Sequence, residues 1–258
     1  MLRTSDATSR FPFENVFLEQ NGDKLSAAEV ITMFSTSVTP ERLLRLQKNV
    51  LERTFSVVPV LEGLYDAGNI GAVCRSADGL GYGAVHVINK GSRPLKASRG
   101  RNSAGAEKWV DLQVWTSTTA CFQALRAQGF KVLVTALSPD AIPITQWDWT
   151  QPTAFVLGNE STGVSDEALS QADALAIIPM ADSMVDSFNV SVAAALILWE
   201  ARRLRQLSGC HADLTPEQQQ TLLALMLLRS RGRVKQGPLV GSSNNLAGEI
   251  AATGAAAA

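Results

Sequence analysis

Residues 154–180 read AFVLGNESTGVSDEALSQADALAIIPM. Two short apolar runs, AFVLG (154–158) and ALAIIPM (174–180), enclose a polar, glycine-bearing loop and a helix near Ser165–Gln171. Apolar runs without polar alternation belong to strands covered on both faces. The same alternation extends outward in both directions. SVVPVL (56–61) and GAVHVI (83–88) read as strands, with a helix through Ile70–Leu80 between them. KVLVTAL (131–137) follows a helix around Thr119–Ala127, and a long helix occupies Ser187–Leu207. Strands and helices in this order imply an α/β fold with a mainly parallel sheet and helices on both faces.

Two flanking helices are written in their caps. Thr39-Pro40-Glu41 supplies a Thr cap, a proline in the first turn and an early acid, and an apolar stripe follows at Leu43, Leu44, Leu46, Val50 and Leu51. Thr215-Pro216-Glu217 opens a second such helix within Leu214–Arg231. The expected organisation is an appendage over 1–38, disordered in part, and a flanking helix over 39–55. A main domain over 56–207, a C-terminal flanking helix over 208–236 and a low-complexity tail over 237–258 complete it.

Composition narrows the function classes. At 258 residues, 46% hydrophobic and 18% charged, the chain can bury an α/β core, and no apolar run is long enough to span a membrane. The opening MLRTSDATSR has no apolar run behind it to make a secretory signal; its Ser/Thr/Arg content leaves organelle targeting as an alternative that Asp6 and Glu14 weaken, and the cytoplasm is the expected location. Cys74, Cys121 and Cys210 are odd in number and widely spaced, a pattern that neither staples a fold nor holds zinc. His86 lies in the apolar run GAVHVI and reads as a structural strand histidine; with His211 it completes the histidine complement. Histidine-based nucleophilic catalysis and a metal site are therefore poorly supplied.

The formal net charge is −1, yet basic residues cluster. Lys90, Arg93, Lys96, Arg99, Arg101 and Lys108 form one group, Arg229, Arg231, Arg233 and Lys235 another, and Arg42, Arg45, Lys48 and Arg53 a third. Such groups can neutralise phosphates locally or simply be solvated faces.

Ligands of open α/β sheets bind where strands end and helices begin. Three such junctions are polar and glycine-rich: Asp66–Arg75, Leu157–Gly163, and Ile178–Met180 with Ser187–Ala193. Each also reads without function. Asn69 and Ser187 serve as N-caps, Glu160 sits well at a positive helix end, and Arg75 pairs with a surface carboxylate. Asn189 resists that reading, because VSVAAALILW follows it and a buried amide without partners costs about 1–3 kcal/mol. Gly79-Leu80-Gly81-Tyr82-Gly83 lies after a helix and before a strand, the wrong context for a dinucleotide fingerprint. Gly158–Gly163 has no Lys-Ser/Thr after it and is no triphosphate loop.

Taken together, the junctions resemble the three motifs of the SpoU group of SPOUT methyltransferases. Asn69-Ile70-Gly71-Ala72 with Arg75 is similar to motif one, VLGNESTGVSDE (156–167) to motif two, and IIPM (177–180) with SFNVSVAAAL (187–196) to motif three. The resemblance covers about residues 39–206, and TPERLLRLQKNVLER (39–53) is most similar to the tRNA-guanosine branch. One departure stands out: Ala181, Asp182 and Ser183 follow the Pro-Met, where the family carries a glycine.

The resemblance implies a deep C-terminal trefoil knot, which general topology rules would never suggest. It also implies S-adenosylmethionine as cofactor, bound along Thr135, Gly158, Ile178 and Phe188, and methylation of an RNA ribose 2′-hydroxyl, most simply in the D-loop of tRNA. Arg75 would orient that hydroxyl, while Asn69, Glu160, Ser187 and Asn189 hold the arginine, the ribose and the cofactor loop in register. It implies a homodimer with the active site near the subunit interface, and outer helices and the 90–108 stretch gripping RNA phosphates. Rival readings are a ribosomal RNA methyltransferase of the same family, a non-catalytic knotted RNA-binding module, and a nicotinamide oxidoreductase on fold class alone.

Overall fold

A computed structural model describes residues 3–4, 6–18, 24–64, 66–91, 105–181, 184, 187–230 and 239–240. In chain order the elements are β1 (Phe17–Leu18), β2 (Lys24–Leu25), α1 (Ala27–Phe34), α2 (Pro40–Leu51), β3 (Val57–Glu62), α3 (Ala67–Gly79), β4 (Ala84–Ile88), β5 (Asp111–Trp115) and α4 (Thr118–Ala127). They continue with β6 (Lys131–Thr135), β7 (Ile142–Pro143), β8 (Thr153–Leu157), α5 (Asp166–Ser170), β9 (Ala174–Ile177), α6 (Val190–Leu207), α7 (Pro216–Ser230) and β10 (Leu239–Val240).

Among the described residues one sheet runs β10-β5-β4-β3-β8-β6-β9-β7, and its pairings are parallel. Side chains alternate between two cores because successive strand residues face opposite ways. Val58, Val60, Val132, Val134, Ala154 and Val156 meet α1, α2, α4, α5 and α7 on one face. Val57, Leu61, Val85, Val87, Leu133 and Phe155 meet α3 and α6 on the other. The sheet is thus covered on both sides, which is why β3, β4 and β8 carry no exposed residue.

Within 1–38, the described part is packed onto the core. Phe11, Phe13 and Phe55 meet edge to face at centroid distances of 5.4–6.2 Å. Phe17 and Val30 are buried as well, and Ser26 and Glu29 close a capping box on α1. Phe11 and Phe13 do not by themselves announce a packed element, because their partner Phe55 comes from outside the segment. β5 is a further strand that the apolar runs do not announce; only Asp111 and Val114 of DLQVW are well buried. No helix among the described residues is long and apolar enough to cross a membrane.

Several basic residues are spent inside the fold. Arg53 is fully buried and bonds Tyr82 O at 2.9 Å and Asp78 Oδ1 at 2.7 Å. Arg229 is buried too and donates to Lys108 O. Lys90 is bound to Glu167 at 2.8 Å and Glu62 at 3.3 Å. As phosphate contacts Arg53 and Arg229 are withdrawn, since burying an unpaired cation would cost more than its pairing inside the protein; Lys90 is exposed but already paired with two carboxylates. Arg93, Lys96, Arg99, Arg101, Arg231, Arg233 and Lys235 lie outside the described residues, as do Asp182 and Ser183 of the altered loop.

Candidate active site

The parallel sheet delivers three strand ends side by side. Val134 is level with Val156 on β8, and Thr135 with Ala176 on β9. Thr135, Gly158 and Ile178 therefore lie in a row just where their strands stop. The Thr135 hydroxyl donates to Val156 O at 2.8 Å, a side-chain tie across the end of the β6–β8 ladder. Leu137, two residues past Thr135, is 74% exposed, and Phe188, next to Asn189 in the chain, is 38% exposed. Strand-end backbone groups beside uncovered apolar side chains fit an adenosine moiety, flat, apolar in its ring and polar at its edges.

Beside the row, three segments far apart in sequence are tied by side chains. Asp66 caps α3 by accepting from the Gly68 N–H at 2.7 Å, which puts Asn69 in the first helical turn. Asn69 Nδ2 donates to Glu160 Oε1 at 2.6 Å, and Asn189 Nδ2 donates to Asn69 Oδ1 at 3.3 Å. Asn189 Oδ1 in turn accepts from the Ser191 N–H at 2.9 Å, capping α6. The orientations are self-consistent: a carboxylate only accepts, so Asn69 must turn its amide nitrogen to Glu160 and its oxygen to Asn189. The α6 cap thus falls to Asn189 rather than Ser187, and the amide of Asn189 has partners at both ends.

The loop holding Glu160 is fixed by Asn159, which the sequence reading does not single out. Its Nδ2 donates to Gly63 O at 3.0 Å, its backbone pairs with Gly163 in both directions, and its Oδ1 takes the Ser161 N–H at 2.8 Å. Glu62, at the end of β3, is a second residue missing from the sequence-based set. Buried, it accepts from the Ser165 N–H and Oγ, each at 2.8 Å, and from Thr118 Oγ1 at 2.6 Å. Burial alone would raise its carboxyl, but the Ser165 N–H, the two hydroxyls and Lys90 outweigh it and hold the group below its ordinary value. Its one signal in the sequence is an acid closing the apolar run VVPVLE.

Arg75 and Ser187 are not drawn into this network. Both are exposed and, among the described residues, neither side chain makes a hydrogen bond or ion pair. Arg75 stands free on the outer side of α3, nearly two turns from Asn69. The histidines are unsuited to proton transfer here. Burial drives His86 to about 4, with Asp111 pulling it back and Arg3 pushing it further, and Trp115 Nε1 donates to its Nδ1. His211 also lies near 4, lowered by burial and by Arg202 and Arg205. Burial pushes the Cys74 thiol up to about 12. Among the described residues no group of three or more His, Cys, Asp or Glu is placed to hold a metal ion.

Residues 56–199, which contain all three tied segments, match the profile of the SpoU rRNA Methylase family. The chain belongs to that family. Its relatives include the tRNA (guanosine(18)-2′-O)-methyltransferase of Thermus thermophilus, 39% identical over 72% of this chain and 95% of the relative. Among solved SpoU structures, the Aquifex aeolicus TrmH/SpoU tRNA modifying enzyme superposes with a TM-score of 0.68 at 29% identity, over 76% of this chain and 98% of that one. The SpoU methyltransferase AviRb from Streptomyces viridochromogenes, solved in complex with AdoMet, gives a TM-score of 0.53 at 27% identity, over 60% and 58%.

Proposed function

We propose that this chain is an S-adenosylmethionine-dependent RNA ribose 2′-O-methyltransferase acting on a D-loop guanosine of tRNA. The observation that carries the reading is the Asn189–Asn69–Glu160 chain of hydrogen bonds beside the row of strand ends. Family membership supports the chemistry, and the match with the Thermus thermophilus relative over nearly its whole length supports tRNA over rRNA. In this reading the C-terminal part of the domain carries the family's deep trefoil knot, and the enzyme works in the cytoplasm.

S-adenosylmethionine supplies, when bound, the sulfonium methyl group; Thr135, Gly158, Ile178 and Phe188 would hold it. The remaining task falls to the protein: to align a weakly nucleophilic hydroxyl with that methyl group. A guanidinium keeps its proton at any physiological pH, so Arg75 acts by orienting the ribose and countering charge as it develops. The three-residue hydrogen-bond chain fixes the first turns of α3 and α6 against the Glu160 loop. Arg75 then completes a site across a homodimer interface. Val192 and Trp199, 45% and 59% exposed on α6, supply that interface with Leu196.

The test is methyl incorporation from labelled cofactor into unmodified transcript tRNA, followed by mass spectrometry of the nucleosides. A single 2′-O-methylguanosine is expected. Arg75→Ala is expected to lower turnover on the order of 100-fold or more while cofactor affinity, read by calorimetry, stays within about threefold. Equal loss of both would overturn the role given to Arg75. A mark found in rRNA and not in tRNA would overturn the substrate, and RNA binding without methyl uptake would favour a non-catalytic module.

A further inference from the structure

Val58, Val60 and Glu62 share one face of β3, and the two valines are buried in the core that α4 and α5 help to close. The third place in that row holds a buried carboxylate where an apolar side chain would continue the core. Stability alone explains it poorly, since well-packed apolar residues often replace buried ionic groups without loss. What a carboxylate adds is direction, because its two oxygens fix the donors around them.

Those donors belong to the turn that carries Glu160. At the entry to the turn, Asn159 Nδ2 donates to Gly63 O at 3.0 Å. At its exit, Ser165 gives both its N–H and its hydroxyl to Glu62, each at 2.8 Å. Two adjacent residues at one strand end thus hold both ends of the segment 159–165. Ser165 also caps α5 by accepting from the Ala168 N–H at 3.2 Å, so its one hydroxyl hydrogen is committed to Glu62.

The same strand end leads into α3, capped by Asp66, and so to Asn69. A slip of 159–165 on β3 would therefore change the Asn69–Glu160 contact of 2.6 Å. Lys90, two residues past β4, braces the outer side. Its ammonium lies 3.3 Å from Glu62 and 2.8 Å from Glu167 in the first turn of α5.

We infer, resting on the RNA methyltransferase reading, that Glu62 is a positioning residue for methyl transfer, with Lys90 bracing it. It acts through Ser165 and registers Glu160 against Asn69 on the strand end from which α3 also starts.

The test is steady-state methyl transfer by the full chain to unmodified transcript tRNA, at saturating cofactor and well below the melting temperature. Glu62→Gln keeps the size but sets an amide where Ser165, Thr118 and Lys90 donate. It is expected to lower kcat roughly tenfold or more, while the KM for tRNA stays within about threefold. Glu160→Gln is expected to lower kcat as well. The double variant Glu62→Gln/Glu160→Gln is then expected to fall less than about threefold further, because both losses pass through one contact. Lys90→Gln is expected to lower kcat about threefold, and Lys90→Arg to restore it. Lys90 is exposed, so where Glu62→Gln fails to fold, the cycle of Lys90→Gln with Glu160→Gln decides in its place. A folded Glu62→Gln protein with wild-type kcat, or losses that multiply in the double variant, would overturn the positioning role and leave the enzyme reading standing. Wild-type protein that binds cofactor and tRNA but transfers no methyl group would overturn both.

Discussion

Gly158 shows how a single hydrogen in place of a side chain can decide a site. A Cβ built there would lie 2.1 Å from the Gly163 carbonyl carbon and 2.2 Å from the Val164 nitrogen, both backbone atoms that no rotamer change can move aside. Gly163 itself has φ near +69°, so the turn carrying Glu160 depends on two glycines for different reasons, close approach and a left-handed backbone. Gly158→Ala is expected to spring the Asn159–Gly163 pair, cost about 1–3 kcal/mol by overpacking, and weaken cofactor binding by roughly tenfold or more in calorimetry. Gly163→Ala, with open space around its Cβ, is expected to cost only about 1–2 kcal/mol and to bind cofactor better than the first variant. Equal defects would mean that the turn senses conformation and not close approach. At this scale Asn69, Glu160 and Asn189 are legible in the sequence, because polar residues at strand–helix junctions need a reason. Asn159 and Glu62 stay hidden because their partners, Gly63 O and the Ser165 N–H, are backbone groups about a hundred residues away or belong to another element's cap. Arg75 is legible as a residue type and not as a contact, since its side chain makes no hydrogen bond or ion pair among the described residues.

At the scale of elements, caps and apolar runs carry most of the information. Thr39 accepts from the Arg42 N–H as its position before Pro40 implies, and α1 is capped locally by Ser26 and Glu29, whereas its buried Ala27 and Val30 pack on partners that a local window cannot contain. The same holds for the junction of β3, α4 and α5. Glu62 fills the space between two helix starts, taking the Thr118 hydroxyl from one and the Ser165 N–H and hydroxyl from the other, with Lys90 beside it. Its carboxyl is held below its ordinary value of 4.5 in the folded chain. The stabilisation it gives is therefore present above about that pH and lost as pH falls through the lowered folded value. Glu62→Gln keeps the shape but sets an amide nitrogen among donors, so it is expected to cost about 1–3 kcal/mol at neutral pH. Below the carboxyl's titration the gap to wild type is expected to narrow, because the wild-type group has then lost its charge as well. Thermal melts of both proteins, taken from neutral pH downward until the wild-type stability stops falling, check this; a gap that stays constant throughout would remove Glu62 from the pH dependence.

Across the whole molecule, the two faces of the sheet are unequally finished. One side is closed by five helices that enclose the N-terminal phenylalanines, and its α-helical cover leaves few large apolar groups uncovered beyond Met33, Leu44 and Leu51. On the other side α3 and α6 pack together, yet Val192, Leu196 and Trp199 remain exposed at i, i+4 and i+7, one continuous stripe along α6. An apolar stripe of this kind on a chain with few other exposed aromatics is more economically covered by protein than by water. The occupant proposed is a second copy. The stripe lies on the same layer as Arg75, whose guanidinium has no partner among the described residues and gains one if it reaches a site shared between two chains. Tryptophan at the centre of an interface commonly carries about 2 kcal/mol or more of the association energy. Trp199→Glu is accordingly expected to raise the dimer dissociation constant by roughly thirtyfold or more, seen as a shift from dimer to monomer mass in light scattering at micromolar protein. Because Trp199 contributes little to the monomer's own core, the melting temperature measured on the monomer is expected to stay close to that of wild type at matched dilution. Methyl transfer is expected to fall with the dimer and to recover as protein concentration is raised. A Trp199→Glu protein that stays dimeric would place the interface elsewhere, and one that is monomeric and fully active would show that Arg75 serves its own chain.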